Sequence, residues 1–144
     1  MFHAGTKAMR DCETILQEKK NFQPFTFCSY KNKTGFINRF KKEFQFLQFM
    51  KLEKNSVFVM QHPLYIGTHY LKILKVVKKI KKIKVFFLIQ DLESLRNMLP
   101  AYHNLFQQLD QLMYETGDVF ITHNEKMSAY LIKQGVPAGK IVVL

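Results

Sequence analysis

Runs of β-branched and aromatic residues alternate with stretches of helical period through the later part of this chain. That alternation limits the fold more than any other feature. SVFVMQ (56–61), IKVFFLIQ (83–90) and DVFIT (118–122) each read as a strand, and the closing KIVVL (140–144) as another. Between them, residues 70–80, 102–115 and 125–134 carry apolar side chains at helical spacing, and Gly117 breaks the second of these helices before its strand. Parallel strands need a crossover connection, and a helix is the usual one. The pattern therefore predicts a doubly wound α/β domain, a mostly parallel sheet with helices on both faces. The first two runs are almost free of polar residues, as expected of strands covered on both sides.

Upstream the signals are shorter. Residues 4–20 place Ala8, Cys12, Ile15 and Leu16 on one helical face, opening at Gly5-Thr6. Residues 25–30 read as a strand between Pro24 and the turn signal of 31–35, and 36–52 as a second helix rich in phenylalanine and basic residues. Only Met1-Phe2-His3 precede the first helix and the chain ends inside IVVL. The expectation is one Rossmann-like domain over 1–144, a fragment lacking its first strand and whatever follows the last. With 47% apolar residues the chain has ample material for a core.

The 22 Lys and Arg outweigh 11 Asp and Glu, for a formal charge of +11, which favours nucleic acid, acidic lipid headgroups or a phosphorylated ligand without choosing among them. Cys12 and Cys28 form no C-x-x-C pair and imply reduced thiols, hence a cytoplasmic protein. The longest purely apolar run, 85–89, is far short of a membrane span, and 1–10 holds no signal core. Residues 72–84 (KILKVVKKIKKIK) set Ile73, Val76, Val77 and Ile80 on one helical face and Lys72, Lys75, Lys79 and Lys82 largely on another. Such a stripe is either a solvated face or a contact for the inner surface of an anionic membrane, and it serves nucleic acid equally well.

Ligands of open parallel sheets bind beyond the carboxyl ends of the strands. Three strands end in polar residues there: Gln61-His62-Pro63, Gln90-Asp91 and His123-Asn124. Asp91, with Glu93 and Arg96 a turn away, fits either a helix cap or a carboxylate that orients or deprotonates a sugar hydroxyl. Asn124 is read first as the cap of the helix beginning at Glu125. Asp91-x-Glu93 lacks further oxygen ligands, so no metal is expected. Neither G-x-x-x-x-G-K-[ST] nor G-x-G-x-x-G occurs.

Four segments carry a family resemblance: AGTKAMRDCETIL, the strand ending in Q-x-P, VFFLIQDLESLR, and DVFITHNEKMSAYLIKQGVPAGKIVVL. Together they resemble the N-terminal domain of bacterial galactofuranosyltransferases and related glucosyltransferases. The resemblance implies one half of a GT-B architecture, in which the N-terminal domain contacts the acceptor and the C-terminal domain holds the nucleotide-sugar. It implies transfer of a glucose- or galactofuranose-class sugar to an acceptor hydroxyl in cell-surface glycan synthesis, with this half inactive alone. By the same resemblance Gly5 and Lys7 belong to a loop facing the cleft and Asp91 is the catalytic or acceptor-orienting carboxylate. It makes His123 and Asn124 a cleft-edge pair, and Gln61, His62, Gln90, Glu93 and Arg96, read from the strand ends, complete the expected acceptor-binding set. Family members often carry His-Asp where this chain has Gln90-Asp91, which removes a histidine from that position. The implied cofactor set is empty, a UDP-sugar being the donor substrate. Partners are a lipid- or protein-linked acceptor, an anionic membrane surface and a second copy of the chain, with no nucleic acid. The competing expectation is a small noncatalytic α/β module that holds nucleic acid through its lysines, with binding that weakens steeply in salt.

Overall fold

A computed structural model describes residues 4–20, 22–25, 44–63, 66–96 and 100–144. It opens with α1 (Ala4–Lys20) and a 3₁₀ helix over Phe44–Lys51. A regular alternation follows: β1 (Val57–His62), α2 (Thr68–Lys81), β2 (Lys84–Ile89), the one-turn α3 (Glu93–Arg96), α4 (His103–Thr116), β3 (Val119–Thr122), α5 (Glu125–Lys133) and β4 (Ile141–Val143). The strands form one sheet in the order β1-β2-β3-β4, each pair parallel. The α/β class and all-parallel sheet are those the sequence predicts. The strand expected at 25–30, beyond Phe25, and the first part of the helix expected at 36–52 lie outside the described residues.

Alternation within the strands decides the core. Phe58, Met60 and His62 of β1, Val85, Phe87 and Ile89 of β2, and Phe120 and Thr122 of β3 are buried on one face. They meet Leu71, Leu74 and Val77 of α2, Phe106, Leu109 and Met113 of α4, and Leu131 of α5. Burying each large apolar side chain is worth about 1.5–3 kcal/mol, so this layer is the main source of stability. Val59, Phe86, Leu88 and Ile121, on the opposite face, are only half-buried. Uninterrupted apolar runs imply strands covered on both sides; among the described residues, one side of β1 to β3 is buried and the other largely half-buried.

The phase of α2 also departs from expectation. Of Ile73, Val76, Val77 and Ile80, only Val77 is buried, together with Tyr70, Leu71 and Leu74, while Val76 is 57% and Ile80 66% exposed. So many of the helix's residues are apolar that periodicity alone allows more than one inward face. The choice falls to the positions at 70, 74 and 77, spaced i, i+4, i+7, which reach both the sheet and the flank of α4.

Gly117 ends α4 in extended conformation, with its N–H bonded to the Met113 carbonyl. A Cβ there would stand 2.3 Å from Cζ of Phe120, a fully buried ring. The glycine is required by this close approach of backbone to ring.

Candidate functional site at the carboxyl edge of the sheet

Register brings the three strand tips into one row. His62 aligns with Ile89, and Ile89 with Thr122, so Gln61-His62, Gln90-Asp91 and His123-Asn124 all emerge at the same edge. The Gln90 N–H donates to the His62 carbonyl at 3.2 Å, and the Gln90 side-chain amide donates to Gln61 Oε1 at 3.2 Å. A hydrogen-bonded amide pair therefore spans β1 and β2 just where the strands end. Asp91 Oδ1 accepts from the N–H of Leu92 at 2.8 Å, and Leu92 is fully buried beneath it. That bond ties the half-buried carboxylate, two residues ahead of α3, to the adjoining backbone.

Asn124 adopts extended backbone before α5, and its Oδ1 accepts from the Met127 N–H at 2.8 Å, so the cap reading is the observed one. His123 beside it is exposed. Glu93 and Arg96 open and close α3, and their side chains lie outside what the structure describes. Gly5 and Lys7 fall in the first turn of α1 rather than in a loop, with Lys7 exposed. A helical turn there is consistent with the apolar spacing of 4–20, which competes with the loop that the family resemblance implies.

Beneath the tips is a buried polar cluster. His62 is 2% exposed and Asp110, on the inward face of α4, is 4% exposed. His62 Nε2 lies 3.1 Å from Asp110 Oδ1 but off the alignment of a hydrogen bond, and His62 Nδ1 finds no hydrogen-bond partner among the described residues. The other carboxylate oxygen of Asp110 accepts from the hydroxyl of Ser94 in α3. One carboxylate thus ties the end of β1, the first turn beyond Asp91 and the middle of α4 into a single unit. Its charge is felt further out. Burial pushes the Tyr114 hydroxyl well above its ordinary value, and Asp110 and Tyr130 push it the same way. Tyr130 is raised too, by burial first and then by Asp110. Both phenols stay protonated around this cluster.

The amino ends of the strands carry a different set of contacts. Asp118 Oδ2 accepts from the Val85 N–H at 2.9 Å, its Oδ1 from Lys78 at 2.7 Å, and its own N–H donates to the Val85 carbonyl at 2.8 Å. Burial opposes ionisation of Asp118, yet the bonds from Lys78 and Val85 outweigh it and hold the carboxyl below its ordinary value. Lys75 reaches Glu115 at 2.6 Å.

The sequence model of the family described as Glucosyltransferase 3-like, N-terminal domain, matches residues 1–144. The chain belongs to this family. It is a glycosyltransferase-type N-terminal domain, as the quoted segments lead one to expect, and no curated protein matches it. In this family member the residues that sequence reasoning missed are Asp110 and Ser94. A signal for Asp110 was present: it lies at Phe106+4 and Met113−3, on the apolar stripe of a helix, where an unpartnered carboxylate is costly.

Proposed function

We propose that this domain forms the acceptor side of a GT-B glycosyltransferase, transferring a glucose- or galactofuranose-class sugar from a UDP-sugar to an acceptor hydroxyl in cell-surface glycan synthesis. The observation that carries the reading is the row of polar strand tips in a chain matched throughout by a glucosyltransferase-like family. Gln61, Gln90 and His123 present donors and acceptors for sugar hydroxyls at the edge where parallel sheets bind ligands. His62, buried in its contact with Asp110, supports the β1 tip from beneath.

In this reading Asp91 is the carboxylate that takes the acceptor proton, which its position just past the end of β2 supports. As the acceptor oxygen bonds the anomeric carbon, its proton passes to Asp91 and the bond from that carbon to the diphosphate breaks, releasing the nucleotide. The facing C-terminal domain binds the donor and receives the diphosphate charge, so this half alone does not turn over. A free Cys12 thiol fits a cytoplasmic enzyme.

The test is Asp91→Asn in a two-domain parent, with transfer and thermal unfolding both measured. Turnover is expected to fall at least about a hundredfold while the unfolding midpoint stays in place. Proportionate losses in both would make Asp91 a local structural residue and remove it from the chemistry.

A further inference from the structure

The outward face of α2 is defined by what α2 buries. With Tyr70, Leu74 and Val77 facing the core, Lys72, Val76, Lys79 and Ile80 point away from it at i, i+4, i+7 and i+8. The lysines of this helix divide into two groups. Lys75 and Lys78 turn to the flank and engage Glu115 and Asp118, and Lys81 donates to the Leu52 carbonyl at 2.6 Å. Lys72, Lys79 and Lys82 are exposed, and no hydrogen bond or ion pair engages their side chains among the described residues. The helix has no acidic residue of its own, and among the described residues the carboxylates paired with it, Glu115 and Asp118, are engaged on its flank.

Free cations on this face stand among exposed aliphatic side chains. Val76 and Ile80 alternate with the lysines, and the 3₁₀ helix packed beside α2 leaves Leu47 and Met50 half exposed. We propose that this outward face of α2 docks onto an anionic phospholipid surface, the lysines meeting headgroup phosphates while Val76 and Ile80 enter the boundary below them. Charge complementarity selects an anionic partner, and the aliphatic residues select lipid over nucleic acid. Nucleic-acid surfaces reward polar contacts and stacked aromatic rings, whereas the most exposed apolar side chains beside these lysines are the aliphatic Val76 and Ile80. The proposal rests on exposure and charge, and stands apart from the assignment of Asp91.

Flotation of the purified chain with phosphatidylcholine vesicles, with and without phosphatidylglycerol, tests it. Binding is expected only when the anionic lipid is present. Lys72→Glu with Lys79→Glu should weaken binding at least about tenfold, since each lysine near such a surface contributes substantially. Val76→Asn with Ile80→Asn should also weaken it, leaving a residue that high salt removes. All four side chains are exposed, so circular dichroism should show the fold intact in both variants. Equal binding to neutral and anionic vesicles would overturn the proposal. So would vesicle binding indifferent to both variants, an apolar variant that changes only the oligomeric state, or one that binds oligonucleotide and vesicles as the parent does.

Discussion

The two ends of the sheet are held together in opposite ways. At the amino end, Asp118, Lys78, Lys75 and Glu115 lie near the surface and join α2 to the start of β2 and the end of α4 through separate contacts. At the carboxyl end, one buried carboxylate, Asp110, serves β1, α3 and α4 at once, and the residues above it are left to face outward. The same residue types thus do different work. Distributed surface ties can be lost one at a time at modest cost, whereas a shared buried partner fails as a unit. Concentrating the structural burden beneath the tips leaves Gln61 and Asp91 half-buried and His123 exposed at that edge.

The largest effect should follow removal of the shared partner. Asp110→Ala leaves the buried His62 and the half-buried Ser94 without it, and urea unfolding should show a loss of about 3 kcal/mol or more. A loss no larger than that of an exposed ion pair would erase the distinction between the two ends. Next comes Gly117→Ala, which sets a methyl against the buried Phe120 ring and should cost about 1–3 kcal/mol by the same measurement. A neutral result would mean that the ring has room to shift.

Smaller still is Asp118→Asn, expected at about 1 kcal/mol because the group is partly solvated. Its pH dependence sharpens the contrast. The folded carboxyl is held below its ordinary value, so its contribution is present above the unfolded value and disappears as pH falls through the folded one. The parent should therefore lose stability below about pH 4, and Asp118→Asn should flatten that part of the curve. An unchanged acid limb would place the titration on other carboxylates.

Much of this organisation is legible along the chain, and the reason is locality. Strand and helix periods are properties of consecutive residues, so the elements from β1 to β4 appear close to their observed bounds. The Asn124 cap is equally local, since its partner is three residues away. The convergence of Gln61, Asp91 and His123 follows from the parallel alternation, because each strand must point the same way. No helix among the described residues is long and apolar enough to cross a membrane, which the short apolar runs already imply.

Contacts between distant segments are another matter. Asp110 is 48 residues from His62 by number, and nothing near either one names the other. For α2 the sequence points to a face of Ile73, Val76, Val77 and Ile80, whereas packing on the sheet and α4 buries Tyr70, Leu71, Leu74 and Val77 instead. From the order of residues come the kind and sequence of elements and the edge where polar tips gather. From three-dimensional packing come the buried carboxylate that supports those tips and the side of each element that meets water. Periodicity encodes what neighbouring residues do together, while burial depends on which remote surface arrives to cover them.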